Sequence, residues 1–88
     1  MIQIERKIKE FILENFLFTK NPDEISGETS FLEKGIVDST GVLEIVTFLE
    51  ETFEIKVEDD EVIPENLDSI DKIVNYVRRK QAQATEAK

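Results

Sequence analysis

An 88-residue chain with neither cysteine nor histidine must hold its fold by apolar packing alone. Without thiols there is no disulfide staple, no thiolate metal site and no cysteine nucleophile. Without imidazole the commonest general base and the commonest metal ligand are missing. A stand-alone enzyme and a bound metal are therefore not expected. A chain this short forms one domain. It buries only about 60–65% of the surface its unfolded form exposes, so the core is thin. The spacing of the apolar residues then decides the architecture.

That spacing is helical. Ile4, Ile8, Phe11, Ile12 and Phe16 form one stripe, with Glu5, Arg6, Lys9, Glu10 and Glu14 on the other face. Asn21-Pro22-Asp23 is expected to end this helix and open a loop running to about Asp38. Inside the loop Ser30-Phe31-Leu32-Glu33 reads as a capping-box turn stopped by Gly35. Ile25, Phe31 and Leu32 are its expected core anchors. A central helix begins at Ser39, with Val42, Ile45, Val46, Leu49 and Phe53 on one stripe and Phe48 at its margin. Phe11, Phe16, Phe31, Phe48 and Phe53 read as core filler. Ile55-Lys56-Val57 is a connector. Glu58-Asp59-Asp60-Glu61 is expected to open a short helix that Pro64 closes.

Ser69 caps a last helix with Ile70, Ile73, Val74 and Val77 inward, and Arg78, Arg79 and Lys80 at its C-terminal end. No internal repeat is visible. The expected fold is all-α: a small four-helix bundle, three amphipathic helices plus one short one, with a long ordered loop between helices one and two. The domain is expected over 1–80, with a disordered tail over 81–88.

Net charge is −9, from 11 basic and 20 acidic residues. Such a surface repels nucleic acid and anionic lipid and suits partners with basic patches. No apolar run spans a membrane and no secretion signal is read at the N-terminus, so a cytoplasmic monomer is the expectation. The clustered carboxylates lack the alternation and glycine of a calcium loop. Their mutual repulsion predicts that sodium or magnesium chloride raises the melting temperature; a flat response counts against it.

Ser39 stands at a helix start, behind a loop and after Asp38. Unpaired N–H groups and the positive dipole end make that a sound place for a phosphodiester. It is equally the position of an ordinary N-cap. Ser69 also follows an aspartate and opens a helix, so position alone does not separate the two serines.

The segment from Phe31 to Phe53 resembles the acyl and peptidyl carrier protein family. Gly35, Asp38 and Ser39 match the family's glycine and Asp-Ser pair before its second helix. Val42, Glu44, Ile45, Val46, Leu49, Glu50, Glu51 and Phe53 match in character, and the element order covers nearly the whole chain. The resemblance implies a 4′-phosphopantetheine arm on Ser39, installed from coenzyme A by a phosphopantetheinyl transferase that Asp38 helps to recognise the site. It implies acyl groups carried as thioesters to partner enzymes in fatty-acid, lipid or secondary-metabolite synthesis, and no catalysis by the chain itself. It implies docking on ligases and synthases with basic patches through Thr40, Leu43, Glu44, Thr47, Glu50, Glu51, Asp59 and Asp60. The family usually places leucine where Thr40 stands, and apolar residues at Thr40 and Thr47 mark fatty-acid carriers. The polar face here fits a specialised carrier. An aminoacyl or peptidyl carrier is the nearest alternative. An unmodified acidic helical adaptor for a basic partner is the alternative of another class.

Overall fold

A computed structural model describes residues 2–19, 21, 23 and 25–86, and of residues 2 and 83–86 the backbone only. Three long helices do most of the packing. α1 spans Ile2–Ile12 and runs on as a π-helical turn, Leu13–Leu17. α3 spans Ser39–Phe53 and α5 spans Ile70–Glu86. Two one-turn helices, α2 (Phe31–Lys34) and α4 (Pro64–Leu67), lie in the connections, with a 3-10 turn at Asp59–Glu61. No strand occurs among the described residues.

The stripes read from sequence become the core. Ile8 and Ile12 of α1, Ile45 and Leu49 of α3, and Ile70, Ile73 and Val77 of α5 are almost fully buried. Val42, Val46, Phe53 and Val74 pack against them, half-buried. α5 is the central element, touching α1, α3 and α4. Tyr76 joins the core from α5, beside the stripe of Ile70, Ile73 and Val77. It is accommodated because its hydroxyl donates to Glu61 Oε1 at 2.8 Å.

The long loop is ordered by α2 and by Asp68. Ser30 caps α2 by accepting from the Glu33 N–H, and Gly35 ends it at φ 65°, a left-handed turn suited to glycine. Ser30 Oγ and the Leu32 N–H both donate to the Asp68 carboxylate, and the Phe31 N–H donates to the Asp68 carbonyl. Ile25 and Phe31 are buried as expected, but Leu32 is 57% exposed. A single helical turn offers one inward position, and Phe31 takes it; Leu32, about 100° further round, faces out.

Three boundaries differ from the sequence reading. The first helix ends at Leu17, with Phe18 left-handed at φ 54°, ahead of the Asn21 turn. Pro22 of that turn, and residues 87 and 88 of the expected tail, lie outside the described residues. Pro64 does not close the short acidic helix; it starts α4, where a missing N–H costs nothing. α5 continues through Glu86, because Ala82, Gln83 and Ala84 are strong helix formers. Arg78, Arg79 and Lys80 therefore sit within the helix and not at its C-terminal end.

Candidate functional site

The site is built at the first turn of α3. Asp38, not Ser39, is the N-cap: its backbone is extended and its Oδ1 accepts from the Gly41 N–H at 2.8 Å. The carboxylate thus does the capping that the serine was a candidate for. Ser39 is the first helical residue. It is exposed, and its hydroxyl has no hydrogen-bond partner among the described residues. Its N–H and that of Thr40 also lack an acceptor there, so two donors point from the positive end of a 15-residue helix. A phosphodiester on Ser39 fits this arrangement without displacing any existing bond.

Ser69 has the opposite status. It is 4% exposed, and its Oγ accepts from the Lys72 N–H at 3.1 Å. Two Asp-Ser pairs at helix starts therefore differ in function: one serine is spent on the cap, the other is free of it.

Beside Ser39 the surface divides. Thr40, Leu43, Glu44, Thr47 and Glu51 line one wall of an open groove of about 460 Å³, completed by Phe11 of α1, Asn15 of the π-helical turn and Phe48. Leu43 is 66% exposed at its edge. Five of the docking candidates thus lie together. Glu50 does not join them; it is half-buried and its Oε2 accepts from the Val57 N–H at 3.0 Å. Asp59 and Asp60 are exposed on the 3-10 turn, outside the groove. The wall opposite α3 was not legible, because Phe11 read only as core.

On the other side of α3 a smaller cleft of about 100 Å³ is walled by Phe31, Leu32, Val37, Val42, Val62, Ile63, Pro64, Leu67 and Asp68. Its one charged group, Asp68, is already engaged by Ser30 and Leu32. Ile63, 40% exposed, and Leu32 stand at its apolar rim. Helical geometry puts Ser39 between the two features: Val42 at i+3 belongs to the cleft and Leu43 at i+4 to the groove.

Residues 13–77 match the protein family described as phosphopantetheine attachment site. The chain belongs to the acyl carrier protein family. It is similar to the acyl carrier protein of Wolinella succinogenes, 36% identical over 70 residues covering 80% of this chain and 87% of that one. It is also 29% identical to the acyl carrier protein of Bdellovibrio bacteriovorus over 77 residues, 88% and 94% of the two chains. As a family member it is an acyl carrier and not an enzyme, and its prosthetic group is 4′-phosphopantetheine. A carrier of this kind meets a modifying transferase and synthases. None of its helices, among the described residues, is long and apolar enough to cross a membrane.

The outer wall of the cleft is braced by Glu61. Its Oε1 accepts from the Glu58 N–H at 3.0 Å, from Tyr76 Oη at 2.8 Å and from Lys80 Nζ at 2.9 Å. The Glu58 N–H first, then Lys80, lowers its pKa from 4.5 to about 2. Burial, then the neighbouring Glu61, raises that of Tyr76. Asn66 adds a second tie, donating to the Glu61 carbonyl and accepting from Arg79. A carboxylate with a depressed pKa stabilises the fold above its unfolded value and ceases to as pH falls through the folded one. Glu61→Gln should cost about 1–2 kcal/mol at neutral pH, the low end for a charged hydrogen bond because the group is partly solvated. In urea titrations the gap between variant and parent should narrow from about pH 5 downward. A gap unchanged down to about pH 2.5 would exclude this account.

Proposed function

We propose that Ser39 is the residue that bears the arm, that the Thr40–Glu51 groove receives partner enzymes, and that the cargo is a short uncharged acyl group. The observation that carries the first point is the contrast between an exposed, unengaged Ser39 hydroxyl and a buried, engaged Ser69 hydroxyl. In the transfer, the Ser39 oxygen bonds to the phosphorus that bears pantetheine in coenzyme A. The bond to the departing 3′,5′-adenosine bisphosphate breaks, and the hydroxyl proton passes to a base of the transferase. Asp38 holds the first turn of α3 in place and offers the transferase a charge next to the acceptor.

When bound, the arm supplies a terminal thiol that holds an acyl group as a thioester. The chain contributes presentation, because a tethered thioester meets a docked enzyme at high effective concentration. Glu44 and Glu51 flank an apolar Leu43, which suits a basic patch with an apolar contact at its centre. Opposite charge of this kind raises association rate and selectivity more than affinity, and a carrier must also be released. Threonines at 40 and 47 make the groove more polar and support a specialised set of partners. The apolar cleft beside Val42 favours an acyl over an aminoacyl cargo, since an ammonium group buried there would be unpaired.

Intact mass after incubation with coenzyme A and a broad-specificity transferase tests the reading. One added phosphopantetheinyl group is expected. No change with several transferases would favour the unmodified acidic adaptor.

A further inference from the structure

We propose that Gly41 and Phe16 form a positioning contact that fixes the first turn of α3, and Ser39 with it, against the end of α1. The inference rests on Ser39 being the modified residue.

Two local choices that each weaken a helix meet at this point. Gly41 lies inside the first turn of α3, buried, with ordinary helical dihedrals. Glycine there costs stability relative to alanine, and no positive φ explains it. Space does. A Cβ at residue 41 would lie 2.7 Å from Phe16 Cε1, 3.3 Å from Phe16 Cζ and 3.0 Å from Val37 Cγ1. The second choice is the π-helical turn at Leu13–Leu17, which contains Phe16. Such turns are rare inside α-helices and occur frequently at functional sites. Here the side chain that comes against α3 is Phe16.

Phe16 is also backed. Its ring meets the edge of Phe11 at 5.8 Å and 74°, Phe11 stacks on Phe48 at 4.1 Å and 14°, and Phe48 meets Phe53 at 6.0 Å and 88°. The ladder links α1 to the length of α3, so Phe16 retreats only by disturbing its neighbours. On the other side of the contact, the Gly41 N–H is the donor that Asp38 Oδ1 accepts. A push at residue 41 is therefore felt at the Asp38 cap, one position from the acceptor Ser39. A displacement of the reacting atom by about 1 Å can cost on the order of 100-fold in rate.

Transferase kinetics on the full chain provide the test. Gly41→Ala should lower kcat for arm transfer tenfold or more with KM within about twofold, since the groove residues are untouched. Its melting temperature should fall by only a few degrees. Phe16→Leu/Gly41→Ala, which relieves the crowding, should recover most of the lost kcat. Wild-type kcat in Gly41→Ala, no recovery in the double variant, or a loss that follows the unfolded fraction would each overturn the proposal. If Gly41→Ala does not fold, Phe16→Leu alone decides. Its Ser39 and Thr40 amides should show lowered order parameters while those of α5 keep theirs, and unchanged order at Ser39 and Thr40 overturns the proposal. Arm transfer to Ser39→Ala would sink the Ser39 reading itself, a result distinct from all of these.

Discussion

Ser39→Ala should leave incubation with coenzyme A and transferase at its starting mass, while Ser69→Ala should gain one arm and melt lower. The two substitutions are chemically identical and both follow an aspartate at a helix start. Their expected effects are opposite because the hydroxyls do different work. The Ser39 hydroxyl makes no hydrogen bond among the described residues, so its loss should change stability by no more than about 0.5 kcal/mol. The Ser69 hydroxyl caps α5 at 4% exposure. Removing it leaves the Lys72 N–H without its acceptor, at a cost of about 1–2 kcal/mol. For a domain of this size each kcal/mol shifts the melting temperature by roughly 4–8 °C. A modified Ser39→Ala, or an unmodified Ser69→Ala that remains folded, would reverse the assignment.

The contrast also explains what was legible before the structure. Apolar periodicity gives α1, α3 and α5 because each buries a stripe several turns long, and the pattern repeats often enough to be unambiguous. One-turn elements have no such repetition. Pro64 reads as a stop, yet proline also suits a first helical turn, and the position of Leu67 in the core makes it the start of α4. Leu32 and Ile63 look like core residues by type, yet they form an exposed rim, since rims follow from tertiary curvature and not from spacing along one helix. The α3 wall of the groove was legible, since five of the docking candidates share one side of that helix. The other wall was not, because Phe11 lies at the edge of the α1 stripe and reads as core. Glu50 stands apart for a related reason: charge suggests solvent, but Val57 is buried, its N–H needs an acceptor, and Glu50 supplies one. Which of two similar serines is free was beyond sequence altogether. It depends on Asp38 taking the cap at one helix and Asp68 being committed to the loop at the other.

Loading Ser39 with acyl groups of increasing length should raise the melting temperature up to about four carbons and no further. A dry apolar cavity of ~150 Å³ holds benzene, six carbons, so a cleft of about 100 Å³ has room for about four. Each buried methylene contributes about 0.8 kcal/mol, or about 3 kcal/mol for four. Ordering the arm and cargo offsets part of this, leaving about 2 kcal/mol, or roughly 8–16 °C. A glycyl thioester should give no rise, because its ammonium finds no free partner in a cleft whose one carboxylate is already engaged. The series separates two pictures of the carrier. If stability kept rising to twelve carbons, the Val62–Ile63 wall would have to swing away from Val42 and break the Glu61 brace to Tyr76 and Lys80. The short-cargo reading would then be wrong. If no length raised it, the cargo would ride in solvent and selection would lie wholly with the groove. A plateau near four carbons, displaced to longer chains in Ile63→Ala, is the outcome that the size and lining of the cleft require.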